Sequence, residues 1–294
     1  MTFEGLYTIA LTPFLETGEV DEKGIEGLTQ FYRQQGVQGI TVLGIMGEVH
    51  KLGETERLQV MQAYLDAAED TPVVVGCSAQ GTDVSIGLAR AAQQAGAAGV
   101  MVSAPSGVKS EQLLFEHFSA IAKAIQIPLV IQDEPASTGV ILTAGFMAKL
   151  ARSFDNIQYV KVEEPPTPSK VSAILDAAEG RLAVFGGLGG MYFYEELLRG
   201  AAGVMTGFAF PEILVKIYRL FKEGMREDAR KVFYQYLPLI RFEAQLGVGG
   251  VAIRKEIFRL RKVIQSSYVR PPAPGTDPKT LEELTDLIEY LELK

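Results

Sequence analysis

The chain reads as an α/β protein, a (β/α)8 TIM barrel with a helical appendage at its C-terminal end. Three observations predict this. Eight short, apolar, β-rich runs recur between Gly5 and Thr206. The stretches between them carry apolar residues every three to four positions, the helical period. Beyond the eighth run the pattern is helical only. Strands joined by crossover helices are covered on both faces, so their runs are continuously apolar rather than alternating.

The predicted strands are Gly5 to Leu11, Gly39 to Leu43, Val73 to Gly76, Gly99 to Ser103, Pro128 to Gln132, Ile157 to Lys161, Ala183 to Phe185 and Gly203 to Thr206. Helical stretches include Asp21 to Gln35, Glu54 to Ala68, Asp83 to Ala95 and Glu111 to Ile125. Thr82-Asp83 and Ser110 stand where N-caps belong, and Gly36 and Gly96 where C-terminal glycine caps belong. A solenoid would repeat a residue pattern from unit to unit, and these units share none. An open doubly wound sheet would show a nucleotide-binding glycine fingerprint after an early strand, and there is none. Eight units is the number that closes a barrel.

Residues 1–210 are therefore assigned to the barrel and 211–294 to the appendage. The appendage is expected to hold helices over Pro211 to Glu223, Arg226 to Leu246, Val251 to Gln265 and Leu281 to Glu292. Pro271, Pro272, Pro274 and Pro278 separate the last two.

Composition narrows the function. The 294 residues are 47% hydrophobic and 22% charged, with a formal net charge of −8. That balance leaves apolar surface for a large core and argues against nucleic acid, whose phosphates need Lys/Arg clusters. One cysteine, Cys77, allows no internal disulfide, and two histidines with one cysteine leave no soft-ligand set for zinc. No metal or organic cofactor is expected. The N-terminus has no secretory pattern and no run approaches the roughly 20 apolar residues that span a bilayer, so a soluble, cytoplasmic protein with no membrane partner is expected, intact from residue 1.

In such a barrel the chemistry gathers at the C-terminal ends of the strands. Lys161 closes the sixth predicted strand, and it is the one lysine among the eight strand ends. Burial there favours the neutral amine that attacks a carbonyl. The plainer alternative is a surface lysine, or one paired with Glu163 or Glu164. Asp133 and Glu134 follow the fifth strand and Glu163 and Glu164 the sixth, so any of these carboxylates could move protons or merely start a helix. Gly44-Ile45-Met46-Gly47-Glu48 follows the second strand, a glycine-bounded turn able to aim backbone amides at a carboxylate. Gly186-Gly187-Leu188-Gly189-Gly190 follows the seventh, where backbone must approach something closely. His50, His117 and Cys77 are expected to be structural.

Together these segments resemble the dihydrodipicolinate synthase and N-acetylneuraminate lyase family of class I aldolases. Gly44-Ile45-Met46-Gly47-Glu48 with Leu52, Glu56 and Arg57 is similar to the family's G-T-T-G-E-x-x-x-L-x-x-x-E-R stretch. Thr82 to Pro105 follows the next family block. Lys161 falls at the Schiff-base lysine, and Gly186 with Gly203-Val204-Met205-Thr206 matches the last two strand ends. The resemblance implies a barrel with a C-terminal helical region, a small pyruvate-like 2-oxo acid held on Lys161, and a homo-oligomer, dimer or tetramer.

The departures are equally specific. The two turn threonines are Ile45 and Met46, the P-Y-Y after the fourth strand is Pro105-Ser106-Gly107, and the Y-N-x-P after the fifth is Gln132-Asp133-Glu134-Pro135. Three relay hydroxyls are thus absent, and glutamine cannot titrate. The expected site has Lys161, Asp133 and Glu163 as catalytic residues, with Gly44, Ile45, Met46, Gly47, Gln132, Gly186 and Met205 binding substrate. The leading expectation is a Schiff-base lyase other than dihydrodipicolinate synthase. The alternatives are a dehydratase of a 3-deoxy-2-oxo sugar acid using the same lysine, and a catalytically silent barrel that binds a 2-oxo acid or a protein partner.

Overall fold

The computed structural model describes residues 2–245 and 248–293. Eight parallel strands run β1 Gly5–Ile9, β2 Gly39–Val42, β3 Val73–Gly76, β4 Gly99–Ser103, β5 Leu129–Asp133, β6 Ile157–Val162, β7 Ala183–Gly186 and β8 Gly203–Thr206. They lie side by side in chain order, and the sheet closes into a barrel. The intervening helices are α1 Glu22–Gln34, α2 Glu54–Ala67, α3 Thr82–Gln94, α4 Glu111–Ala124, the short α5 Pro135–Thr138, α6 Ala144–Ser153, α7 Thr167–Ala178 and α8 Phe193–Leu198. The C-terminal helices are α9 Pro211–Lys222, α10 Arg226–Glu243, α11 Val248–Leu260 and α12 Pro278–Tyr290.

Each predicted strand is present, displaced by no more than two residues at either end. Ser110 caps α4 by accepting from the N–H of Leu113, and Gly36 and Gly96 have φ of 76° and 91°, the left-handed caps their positions suggested. Thr82 does not cap α3. The N-cap is Gly81, and the Thr82 hydroxyl lies 2.9 Å from His117 Nδ1, so a neighbouring helix has claimed the group that would have capped. Pro278 starts α12 instead of separating helices, because a proline at the first position loses no hydrogen bond the helix needs. Asp277 caps that helix at the N–H groups of Lys279 and Thr280. The helix expected to reach Leu246 ends at Glu243, and Leu246 itself lies outside the described residues.

The chain forms two compact units. The first comprises Pro72–Leu188 and Tyr192–Met205 with the residues before Gly5. Its strand register runs Ser103↔Gln132↔Lys161↔Phe185↔Gly203. Paired residues of a parallel ladder point the same way, so this line faces one side of the sheet. Two residues before Lys161, Tyr159 stacks on Phe3 at 4.6 Å between ring centroids and accepts the N–H of Phe3 at 3.0 Å.

The second unit comprises Gly5–Thr71, Gly189–Met191 and the described residues from Thr206 onward. Helix α9 packs on β1 and pairs with α10. Glu48, in a left-handed conformation after β2, turns its fully buried carboxylate toward α11, where Lys255 Nζ meets it at 2.5 Å. The other oxygen takes Lys51 Nζ at 2.8 Å and the N–H of Arg270 at 3.1 Å. Lys255 and Arg270 also lie over the Phe14 ring, at 4.2 and 4.3 Å. Opposite charges removed from water together are tolerable, whereas one left alone is costly. Replacement of Lys255 by Met is expected to lower unfolding free energy by about 3 kcal/mol in urea titrations. A loss below about 1 kcal/mol would mean that Lys51 and the Arg270 amide suffice for Glu48.

Candidate active site

The two-residue period of β5 and β6 sorts the strand-end residues. Gln132 and Lys161 share a face and a register position, while Asp133 pairs with Val162 on the other face. The Glu163 N–H extends the ladder by donating to Asp133 O at 2.9 Å, which returns the Glu163 side chain to the lysine's face. There Lys161 Nζ stands 2.9 Å from Glu163 Oε2, and Lys161 is 5% exposed. Gln132 Nε2 donates to the same oxygen at 3.0 Å, and the Leu188 N–H donates to Oε1 at 3.4 Å. A lysine, a carboxylate and an amide thus form one chain of contacts, with the amide able to orient but not to titrate.

The glycines after β7 are explained by what lies beside them. A Cβ on Gly187 would sit 2.4 Å from Glu163 Cγ, and one on Gly186 would sit 1.7 Å from Glu196 Oε2. The backbone therefore passes between two carboxyl groups. Glu196, on α8, is fully buried, accepts from Thr167 Oγ1 at 2.6 Å, and is pushed up to about 8 by burial. Gly186 shares the face of Val162, its register partner, whereas Met205 lies two residues beyond Gly203, on the face of Lys161.

Of the four strand-end carboxylates, only Glu163 reaches Lys161. Asp133 is fully buried on the opposite face, where its Oδ2 lies 2.6 Å from Lys170 Nζ of α7 and its Oδ1 accepts from the N–H of Leu142. Burial raises its pKa against the lowering pull of Lys170. Glu164 also pairs with Lys170, and Glu134 caps α5 through the Ser137 N–H, its pKa raised by burial. The Asp133 expected beside the lysine is thus turned away from it, because adjacent strand residues point to opposite faces.

In the second unit the turn after β2 is a single 3-10 turn, Ile45–Gly47. Its internal bonds use the N–H groups of Gly47 and Glu48, not those of Ile45 and Met46. Thr12 Oγ1 donates to Gly47 O at 2.6 Å and fixes the turn from β1's side. Arg254 of α11, 3% exposed, reaches Met46 Sδ with Nη1 at 3.1 Å and lies 3.4 Å from Glu243 with Nε. Glu243 is fully buried and pushed up to about 7 by burial.

Lys170, Glu196, Glu243 and Arg254 were not singled out in the sequence. For Arg254 a signal existed: Val251, Arg254, Lys255 and Phe258 recur at helical spacing, so two cations occupy an apolar stripe. Cys77 is buried and its thiol is pushed up by burial, in keeping with a structural role. His117 is buried with Nδ1 beside Thr82, and His50 sits in the 3-10 turn Val49–Lys51. Among the described residues no cluster of metal-ligating side chains occurs, and no helix is long and apolar enough to cross a membrane.

Known proteins match this chain over nearly its whole length. A sequence model of the Dihydrodipicolinate synthetase family covers residues 2–291. L-2-keto-3-deoxyarabonate dehydratase of Azospirillum brasilense is 31% identical, over 98% of this chain and 94% of its own. Dihydrodipicolinate synthase from Rhodopseudomonas palustris superposes with a TM-score of 0.93 at 34% identity, covering 98% and 97% of the two chains. Escherichia coli YagE, named a putative 2-dehydro-3-deoxy-D-gluconate aldolase, superposes in its complex with pyruvate with a TM-score of 0.92 at 27% identity, over the whole of both chains. The chain belongs to the dihydrodipicolinate synthetase family and is a lyase of that family.

Proposed function

We propose that this lyase binds a small, pyruvate-like 2-oxo acid as a Schiff base on Lys161, with Glu163 carrying the protons. The observation that supports the reading is the pairing of Lys161 Nζ with Glu163 at 2.9 Å, on the strand face that Gln132 shares. Neutral Nζ attacks the 2-oxo carbon, water leaves, and the iminium becomes the electron sink. In C–C cleavage the proton of the 4-hydroxyl passes to Glu163 and the C3–C4 bond breaks. An aldehyde departs, and the enamine takes the proton back at C3. Hydrolysis then frees pyruvate and the amine. Gln132 holds Glu163 from the position where the family's relay tyrosine stands, so Glu163 takes over a task that glutamine cannot perform.

A second reading keeps the same lysine and eliminates water from a 3-deoxy-2-oxo sugar acid. Glu163 would then take a C3 proton and return it to the departing 4-hydroxyl, a shuttle that needs no hydroxyl relay. The likeness to the Azospirillum dehydratase and the Glu163 carboxylate at Nζ favour it. The catalytically silent alternative would leave Lys161 unreactive.

The amides of Ile45 and Met46, bounded by Gly44 and Gly47, are proposed to hold the substrate carboxylate. Met205 and the Gly186 backbone would line the pocket. Asp133 enters as a positioning residue through Lys170, not as an acid or base. We also propose that the protein is cytoplasmic and homo-oligomeric, a dimer or tetramer, which light scattering of the purified chain tests directly.

Borohydride reduction in the presence of pyruvate is expected to attach a stable three-carbon adduct to Lys161, read by peptide mass spectrometry, and Lys161→Arg should abolish it. Absence of an adduct with pyruvate and with longer 2-oxo acids would end the Schiff-base reading. Incubation with a panel of 3-deoxy-2-oxo sugar acids should then yield pyruvate for C–C cleavage or a dehydrated acid for elimination. Glu163→Gln keeps the side chain's shape but not its proton, so kcat should fall by roughly 10²- to 10⁴-fold while the trapped adduct still forms. Activity within a few-fold of wild type would remove Glu163 from the proton path.

A further inference from the structure

Glu196 is a carboxyl group that the proton path through Glu163 does not use. It lies on α8, within the first unit, and is fully buried. Its Oε1 accepts from the hydroxyl of Thr167, the first residue of α7, at 2.6 Å. Among the described residues its Oε2 has no hydrogen-bond partner. That oxygen is seated against the C-terminal end of β7, where a Cβ on Gly186 would collide with it. Across the same backbone, Glu163 fills the space that a Cβ on Gly187 would need. Gly186 and Gly187 are thus clamped between two carboxyl groups, and the next residue, Leu188, gives its N–H to Glu163 Oε1.

The two carboxyl groups differ in what surrounds them. Glu163 meets Lys161, Gln132 and the Leu188 amide, a set of donors suited to a negative charge. Glu196 has the Thr167 hydroxyl, too little for a carboxylate withdrawn from water. The neighbouring cations are engaged elsewhere: Lys170 of α7 by Asp133 and Glu164, and Arg199 after α8 by Ser172. The charged groups that act on Glu196 are acids, Glu195 beside it on α8 and Glu163 beyond the β7 backbone. Burial, reinforced by those two acids, pushes Glu196 up to about 8 against the lowering pull of Thr167.

We propose that Glu196 is a positioning residue of the lyase: as a neutral acid it seats the β7 backbone that presents Leu188 to Glu163, and its ionisation loosens that seat. The role rests on the Schiff-base reading with Glu163 as the proton carrier. A charge on Glu196 would find no donor at Oε2, so α8 must draw away from β7 to bring water to it. Glu163 then loses the amide that orients it. The enzyme thereby carries an alkaline limit set by a residue behind the strand face of Lys161.

Washout of deuterium from trideuterated pyruvate in water, read by mass spectrometry, follows the C3 proton step without the natural substrate. Glu196→Gln is neutral at every pH, and its side-chain oxygen can still accept from Thr167. The ratio of variant to wild-type washout should rise about tenfold from pH 7 to pH 9, because one unit above a group that titrates at about 8 only about one-tenth of it stays neutral. Taking the ratio cancels the titration of other groups, and a merely structural Glu196 would leave it constant. Circular dichroism establishes folding. If Glu196→Gln does not fold, Thr167→Val decides: losing the hydroxyl that favours the charged form should move the alkaline loss to higher pH, so its ratio to wild type should also rise by pH 9. A constant ratio in the deciding variant, with pyruvate still trapped on Lys161 by borohydride, would overturn the assignment and leave the Schiff base standing. A wild type that forms no adduct, or an adduct without washout, would overturn the reading of Glu163 and this assignment with it.

Discussion

The alternation of side chains along β5 and β6 is the constraint on which the site depends. Because successive residues point to opposite faces, Lys161 and Glu163 fall on one side and Val162 on the other. The register with β5 then brings Gln132, not Asp133, to the lysine's face. A slip of one residue would exchange the two sets, removing both the amine and its carboxylate from the strand face that Gln132 shares. Burial makes that slip costly, since Val130, Ile131, Val160 and Val162 are fully enclosed.

The outward set has work of its own. Asp133 and Glu164 both engage Lys170, tying the ends of β5 and β6 to α7. Through the intervening backbone, that link holds Gln132, Lys161 and Glu163 on the other face. The loop after β7 is shaped by the same economy of space. Glu163 on one side and Glu196 on the other leave no volume for a side chain at Gly186 or Gly187, and the Leu188 N–H is thereby brought to Glu163. The glycines serve close packing against carboxyl groups.

Much of the fold was legible in the sequence because its signals are local and periodic. Continuous apolar runs marked eight strands, and Ser110, Gly36 and Gly96 marked helix ends through capping that involves only near neighbours. Thr82 misled because a histidine 35 positions away took its hydroxyl. The pairing of Lys161 with Glu163 was legible as one reading of their places at a strand end. Asp133 was grouped with them because closeness in sequence does not reveal direction. Arg254 was passed over because its partner Glu243 and its contact Met46 lie on separate elements, 11 and 208 positions away, although the stripe it shares with Val251 and Phe258 marked it as buried.

The sequence by itself determined the number and order of strands and helices, the family pattern and the lysine near the end of β6, because hydrophobic period, caps and strand-end residues act over a few positions. Only the tertiary structure decided which of four carboxylates stands at that lysine, why Gly186 and Gly187 can carry no side chain, and where Arg254 goes. Each of those depends on the strand register and on volumes filled by residues distant in the chain, and no local pattern encodes either.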